Sequence, residues 1–182
     1  MFKYSLIFKT FWCALFFSLS SSGMELPEAT GITIENYNEQ RDLPAVATVF
    51  QKDWNNLYLG REYSIDLVKA LLAPSPGKKI KVIRANALTA GFITYYFQAD
   101  RKLGYVELMA VDQENRRKGF GSQLLVHALE KLQKKDATET VIYVKKTNDI
   151  AMNLYAKLGF SNEKQISAIR DLAWELHKPF TK

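Results

Sequence analysis

Residues 104–125 read GYVELMAVDQENRRKGFGSQLL. The first eight alternate in the manner of a half-buried strand, and the last four open an apolar helical pattern. Between them lie two arginines, a lysine and two glycines. The first turn of a helix offers backbone N–H groups with no intrahelical acceptor and a partial positive charge. Gly119 and Gly121 let an anion approach those groups, and Arg116, Arg117 and Lys118 add charged donors. Two readings of the turn stand at this point: a site for a phosphate-bearing ligand, or glycines that serve packing beneath a solvated basic surface.

Two nucleotide motifs are excluded. The phosphate loop G-x-x-x-x-G-K-[ST] lacks its lysine, because Gly121 is followed by Ser122. The dinucleotide fingerprint G-x-G-x-x-G has Leu124 at its third glycine.

Working outward, the period changes along the chain. Upstream, 32–37 alternates as a first strand, 43–54 carries apolar residues at helical spacing with Pro44 in its first turn, and 64–73 predicts a second helix capped by Ser64 and ended by PSPG at 74–77. Strand-like runs at 79–85, 90–98 and 104–111 form an antiparallel meander, broken near Asn86 and at 100–102. Downstream, Leu124, Leu125, Ala128, Leu129 and Leu132 predict an amphipathic helix to about Lys135. A strand at 139–145, a helix at 149–160 closed by Gly159, and a last strand at 169–177 complete the order. Strands first and a βαβ crossover later predict an α+β domain, a mixed and mostly antiparallel sheet flanked by helices.

Composition bounds the chemistry. A 182-residue chain that is 47% hydrophobic can bury one ordinary core. Residues 1–22, MFKYSLIFKTFWCALFFSLSSS, resemble a secretory signal, with Lys3 early, an apolar run from Phe11 to Leu19 and serines at a cleavage position. A retained membrane anchor and a start at Met24 are the other readings, so export, membrane association through 1–22, and a cytoplasmic protein are the corresponding locations. Residues 23–31 then form a linker and 32–182 the domain. Without 1–22 the chain loses Lys3, Lys9 and no acid, so its net +6 becomes +4, short of the density of a dedicated nucleic-acid binder. Cys13, the sole cysteine, leaves with the leader, and His127 and His177 are the only histidines. A thiolate nucleophile, a Cys/His metal site and a histidine triad are therefore not expected, and no metal is.

Arg116-x-x-Gly119-x-Gly121, followed by Asn148, Ala151, Leu154-Tyr155 and Leu158-Gly159-Phe160, resembles the GCN5-related N-acetyltransferases. The first segment matches that family's [QR]-x-x-G-x-[GA] loop, and the run 148–160 its second motif at the usual distance. The resemblance covers roughly 32–178 and is weakest over 38–75. It implies a GNAT-like acyltransferase fold and an enzyme that moves an acetyl group from acetyl-CoA to a primary amine of a small molecule or protein, by direct attack in a ternary complex. A catalytically weak CoA-binding sensor is the alternative. It implies that Arg116, Arg117, Lys118, Gly119, Phe120, Gly121 and Ser122 hold the pyrophosphate, and that Met109, Ala110 and Val111 pair with the pantetheine arm. Asn148 is a helix cap, a contact to that arm, or both.

In such a site Tyr155 stands where the family's general acid stands; a phenol near pKa 10 can protonate a departing thiolate. Its other reading is an aromatic on an apolar helix face. Glu107 is the candidate general base, or an exposed strand charge with water relaying the proton. Tyr143 occupies the position where some relatives that acetylate protein N-termini carry a glutamate.

Overall fold

The computed structural model describes residues 31–54, 63–166 and 173–180. The leader and nearly all of the linker, residues 55–62 within WNNLYLGREY (54–63), a stretch rich in aromatics and amides, and 169–172 of the expected last strand lie outside them.

Among the described residues seven strands form one sheet: β1 (Ile32–Asn36), β2 (Lys79–Ala85), β3 (Leu88–Gln98), β4 (Leu103–Val111), β5 (Glu139–Lys145), β6 (Ser161–Ile166) and β7 (Ala173–Pro179). Their spatial order is β1-β2-β3-β4-β5-β7-β6. Every neighbouring pair is antiparallel except β4 and β5. The parallel pair needs a crossover, supplied by α3 (Phe120–Gln133). The expected mixed, mostly antiparallel sheet is what forms.

Consecutive strand residues point to opposite faces, and the sheet has a core on each. Ile83, Ile93, Tyr95 and Val106 pack with Leu124, Leu125, Ala128 and Leu132 of α3 and Tyr155 of α4 (Asp149–Lys157). Val82 and Phe92 pack with Val46, Phe50 and Val68, contributed by α1 (Glu39–Val49), the π-helical turn after it (Phe50–Trp54) and α2 (Ile65–Leu71). The helix ends follow local chemistry. Ser64 Oγ accepts from Leu67 N at 3.2 Å, as expected of a cap. Gly159, at φ +83°, ends α4, and the next amide, Phe160 N, returns to Tyr155 O at 3.0 Å.

The structure departs from the sequence reading at several element ends and in one added strand. α1 starts at Glu39, four residues early, because Asn38 Oδ1 caps Arg41 N at 3.1 Å; Pro44 thus lies inside the helix. β3 begins at Leu88, across a two-residue turn in which Asn86 and Ala87 have φ of 51° and 63°. β6 was not expected, since SNEKQI carries no apolar alternation; it is an edge strand, where polar residues discourage further pairing.

One buried polar cluster ties the first half together. Asp42 is fully buried and accepts from Asn38 N (2.8 Å), Arg41 Nε (3.1 Å), Thr89 Oγ1 (2.9 Å) and the Arg84 guanidinium. Burial opposes the carboxylate charge, but these donors outweigh it and hold Asp42 below the usual range. α1, β2 and β3 are thereby joined at one atom group.

Candidate active site

The parallel ladder between β4 and β5 is short. It pairs Leu103–Val106 with Glu139–Ile142 and stops. Beyond it β4 keeps only its β3 partner to Val111, and β5 keeps only β7 to Lys145. The strands thus diverge, leaving the β5-facing edge of Met109, Ala110 and Val111 beside a gap. Glu107 marks the divergence: the register steps from Thr94↔Leu108 to Tyr95↔Val106, so Glu107 is the extra residue of a β-bulge.

Gly91 was missed by sequence reading, yet it shapes this edge. A Cβ there would lie 2.7 Å from Ala110 O and 3.1 Å from Val111 Cα. Only a residue without a side chain lets β4 lie so close. No motif announces it, because the demand comes from a neighbouring strand.

At the end of the gap sits the basic turn. Asp112 N bonds back to Ala90 O (2.9 Å), a short 3-10 turn covers Gln113–Asn115, and Arg116 Nε donates to Val111 O (3.2 Å). Arg117 and Gly119 then take left-handed conformations, at φ 61° and 81°. Gly119 is the N-cap of α3 with no side chain capping the helix; its carbonyl takes the first helical bond, from Gln123 N at 3.0 Å. The N–H groups of Phe120, Gly121 and Ser122 precede that first bond and belong to the anion-binding end of the helix. Lys118 Nζ bonds to Asn115 Oδ1 at 3.1 Å, folding its charge over the loop.

The second motif packs against the first. A Cβ on Gly121 would stand 3.4 Å from Leu154 Cδ2 and 3.8 Å from Val111 Cγ2, so the start of α3, the end of β4 and α4 meet there. Tyr155, next to Leu154, is 5% exposed, with its ring tilted against Phe160 at 5.8 Å between centroids. Asn148 is a helix cap: its Oδ1 accepts from Ala151 N at 3.2 Å.

Glu107 is exposed, and its carboxylate is held. Lys78 Nζ lies 2.9 Å from Oε2, and Thr94 Oγ1 donates to the same oxygen at 3.4 Å. The Lys78 side chain is nearly buried and also donates to Leu71 O at 2.8 Å, which ties the loop after α2 to the bulge. Sequence reading passed over Lys78, one of two adjacent lysines at a strand entrance.

This arrangement, a gap between diverging parallel strands above an uncapped, glycine-bearing helix start, coincides with what sequence comparison finds. Residues 43–160 match the model of the acetyltransferase (GNAT) family. The chain belongs to the GNAT family. Among relatives it is 27% identical to human (Homo sapiens) N-alpha-acetyltransferase 30 over 152 residues, which is 81% of this chain and 40% of that protein. It is 33% identical to mycothiol acetyltransferase of Acidimicrobium ferrooxidans over 116 residues, 60% of this chain and 34% of that one. The GNAT chain described here therefore spans well under half the length of these curated relatives. Its fold superposes on PaiA N-acetyltransferase of Thermoplasma acidophilum, solved in complex with coenzyme A, with a TM-score of 0.66 at 20% identity, covering 82% of this chain and 99% of that one.

Proposed function

We propose that this chain transfers the acetyl group of acetyl-CoA to a primary amine, on a small molecule or a protein, by direct attack within a ternary complex. The observation that carries the reading is the β4–β5 divergence ending on the N-terminus of α3. The residues fit the cosubstrate. The amides from Arg117 to Ser122 would hold a diphosphate with the helix dipole behind them, and Gly119 leaves the approach open, the nearest atom to a Cβ there being Gln123 Nε2 at 3.9 Å. The unpaired edge of Met109–Val111 supplies strand-type donors and acceptors for the amides of the pantetheine arm.

Catalysis here is alignment plus proton management. Holding the amine against the thioester carbonyl removes most of the entropy of encounter, and an N–H on the β4 edge can stabilise the oxyanion. Tyr155 on α4 gives its phenol proton to the departing thiolate. Asn148 acts as a cap that sets the direction of α4.

The test is thiol release: the full chain is incubated with acetyl-CoA and a panel of primary amines, with CoA binding measured separately by calorimetry. Amine-dependent release supports the proposal; neither binding nor release refutes it. CoA binding without release supports a CoA-sensing module instead, a reading favoured by one observation, the engagement of Glu107 by Lys78. The leader reading of 1–22 is tested by sequencing the mature N-terminus.

A further inference from the structure

We propose that Tyr143, Glu175 and His177 form a proton relay that receives the acceptor amine's proton on the sheet face opposite α3, with Glu139 holding the far nitrogen of the histidine. The inference rests on the acetyltransferase reading above and adds the route by which the amine is activated.

The placement comes from the strands. Parallel pairing ends at Val106↔Ile142, so the next residues, Glu107 on β4 and Tyr143 on β5, flank the mouth of the gap. Ile142 and Val144 are buried toward α3 and α4, which puts Tyr143, 42% exposed, on the other face. The β4 and β5 side chains that face α3 are packed into its core, whereas the exposed Tyr143 ring leaves this other face of β5 reachable by an amine. Tyr96 and Tyr105, stacked 5.0 Å apart with 14° between planes, stand close enough to act electrostatically on Tyr143. Such rings suit a protonated amine, which aromatic faces attract.

Tyr143 is the cross-strand partner of Glu175, whose carboxylate acts electrostatically on its phenol. Glu175 Oε1 lies 2.7 Å from His177 Nε2, and His177 Nδ1 lies 2.9 Å from Glu139 Oε1. A continuous row of four polar side chains thus leads from the gap across to the far end of β5. Glu107 stands at the same mouth but is bound by Lys78. A lysine partner fixes a carboxylate's charge near neutrality, whereas a histidine partner can pass a proton on.

The protons balance. One N–H of the ammonium breaks as its proton moves to the Tyr143 oxygen, whose own proton moves to the Glu175 carboxylate. Glu175 passes it to Nε2 of neutral His177, whose Nδ1–H faces Glu139. The freed nitrogen lone pair forms the new C–N bond at the thioester carbonyl, the C–S bond breaks, and the thiolate takes the phenol proton of Tyr155; the second N–H proton of the attacking nitrogen restores that phenol, leaving a neutral amide, and His177 releases the relayed proton to solvent. The relay is therefore open when His177 is neutral.

The titratable groups facing His177 among the described residues are Glu139 from β5 and Glu175 from its own strand, with Tyr143 beyond Glu175; β6 presents Ser161. Burial disfavours the charged ring, but the hydrogen bond to Glu175 and the nearby Glu139 carboxylate outweigh it and raise its pKa above the usual histidine value. Burial and the Glu175 charge raise that of Tyr143, so it passes a proton without resting as a phenolate. Turnover should therefore climb with pH as His177 loses its proton.

The experiment measures kcat, KM for acetyl-CoA, melting temperature and the pH profile of kcat for the full chain and for Tyr143→Phe, Glu175→Gln and His177→Gln. The acceptors are an alanine-led tripeptide and a linear diamine. Tyr143→Phe and Glu175→Gln should lower kcat by about 10²-fold with KM for acetyl-CoA and melting temperature unchanged. His177→Gln should flatten the acid limb of the profile. Parent-like kcat in the first two variants, losses that only track the melting temperature, or an unchanged pH profile in His177→Gln each overturn the relay. A parent chain that neither binds CoA nor releases thiol overturns the acetyltransferase reading itself, a different result from CoA-dependent turnover that ignores these substitutions.

Discussion

Gly119→Ala separates a loop shaped to hold a diphosphate from a loop that merely starts a helix. Gly119 sits at φ +81°, where an L-residue is strained, yet a Cβ there would meet nothing nearer than Gln123 Nε2 at 3.9 Å. The cost in the free protein is therefore conformational, about 1–2 kcal/mol. The stiffer unfolded chain offsets roughly 0.4–1 kcal/mol of it. A net loss near 1 kcal/mol lowers the melting temperature of a chain this size by about 2–4 °C. Binding should suffer more. Relaxing residue 119 toward the right-handed region turns the amides on either side of it, and each charge-assisted bond lost is worth about 1.5–3 kcal/mol, or roughly 10- to 150-fold in Kd. Gly121→Ala is the comparator, because its Cβ would make ordinary contact with Leu154 at 3.4 Å, and alanine favours a helix. It should leave melting temperature and CoA affinity at or near parent values, in keeping with the [GA] of the motif. Calorimetric titration with CoA, beside thermal melts, reads both. A Gly119→Ala protein that loses its expected stability but binds CoA with the parent Kd would refute the reasoning.

Other outcomes follow from the same geometry. Ala87→Gly should stabilise the protein by about 1 kcal/mol, read as a higher urea midpoint at unchanged slope, because Ala87 holds φ 63° in the β2–β3 turn. Asp42→Ala should destabilise by about 3 kcal/mol, since it strips the nearly buried Arg84 of its buried carboxylate and leaves only the half-exposed Glu35; adding Arg84→Met to Asp42→Leu should recover much of that in urea melts. His177 binds its proton more tightly folded than unfolded. Its contribution is complete below about pH 6.5 and fades as pH rises through the raised value, so the melting-temperature gap to His177→Gln should be wide in mild acid and narrow in mild alkali. His127 runs the other way: burial, then Lys81 and Lys131, lower its pKa, so its contribution holds above the usual histidine value and is lost as pH falls. His127→Gln should accordingly gain on the parent in acid.

What the sequence discloses about this protein divides by the range of the interactions involved. β2 and β5 were legible to the residue, because each places apolar side chains on a core and ends at residues that turn the chain. The Arg116–Ser122 loop was legible because backbone geometry demands glycine within a short window. β6 was not, since its pairing is with β7 alone and its sequence need not alternate. The start of α1 was obscured because its cap, Asn38, precedes the apolar periodicity rather than beginning it.

The acid–base groups lie at the far end of that scale. Glu107 could be singled out by position, but nothing in ELMAV shows that Lys78, 29 residues earlier, grips its carboxylate. Likewise Tyr143 reads alone as a missing glutamate, and becomes a route for a proton only when β7 brings Glu175 and His177 beside it, 32 and 34 residues later. The cosubstrate loop is a local device and survives as a motif. In the proposed relay amine activation is assembled across strands, so a carboxylate absent at position 143 is supplied by the neighbouring strand without any local trace. Pairing Tyr143→Glu with Glu175→Gln should therefore restore turnover that Glu175→Gln alone removes, since a carboxylate then stands directly at the mouth of the gap. A double variant no faster than Glu175→Gln would show that position 143 does not face the amine.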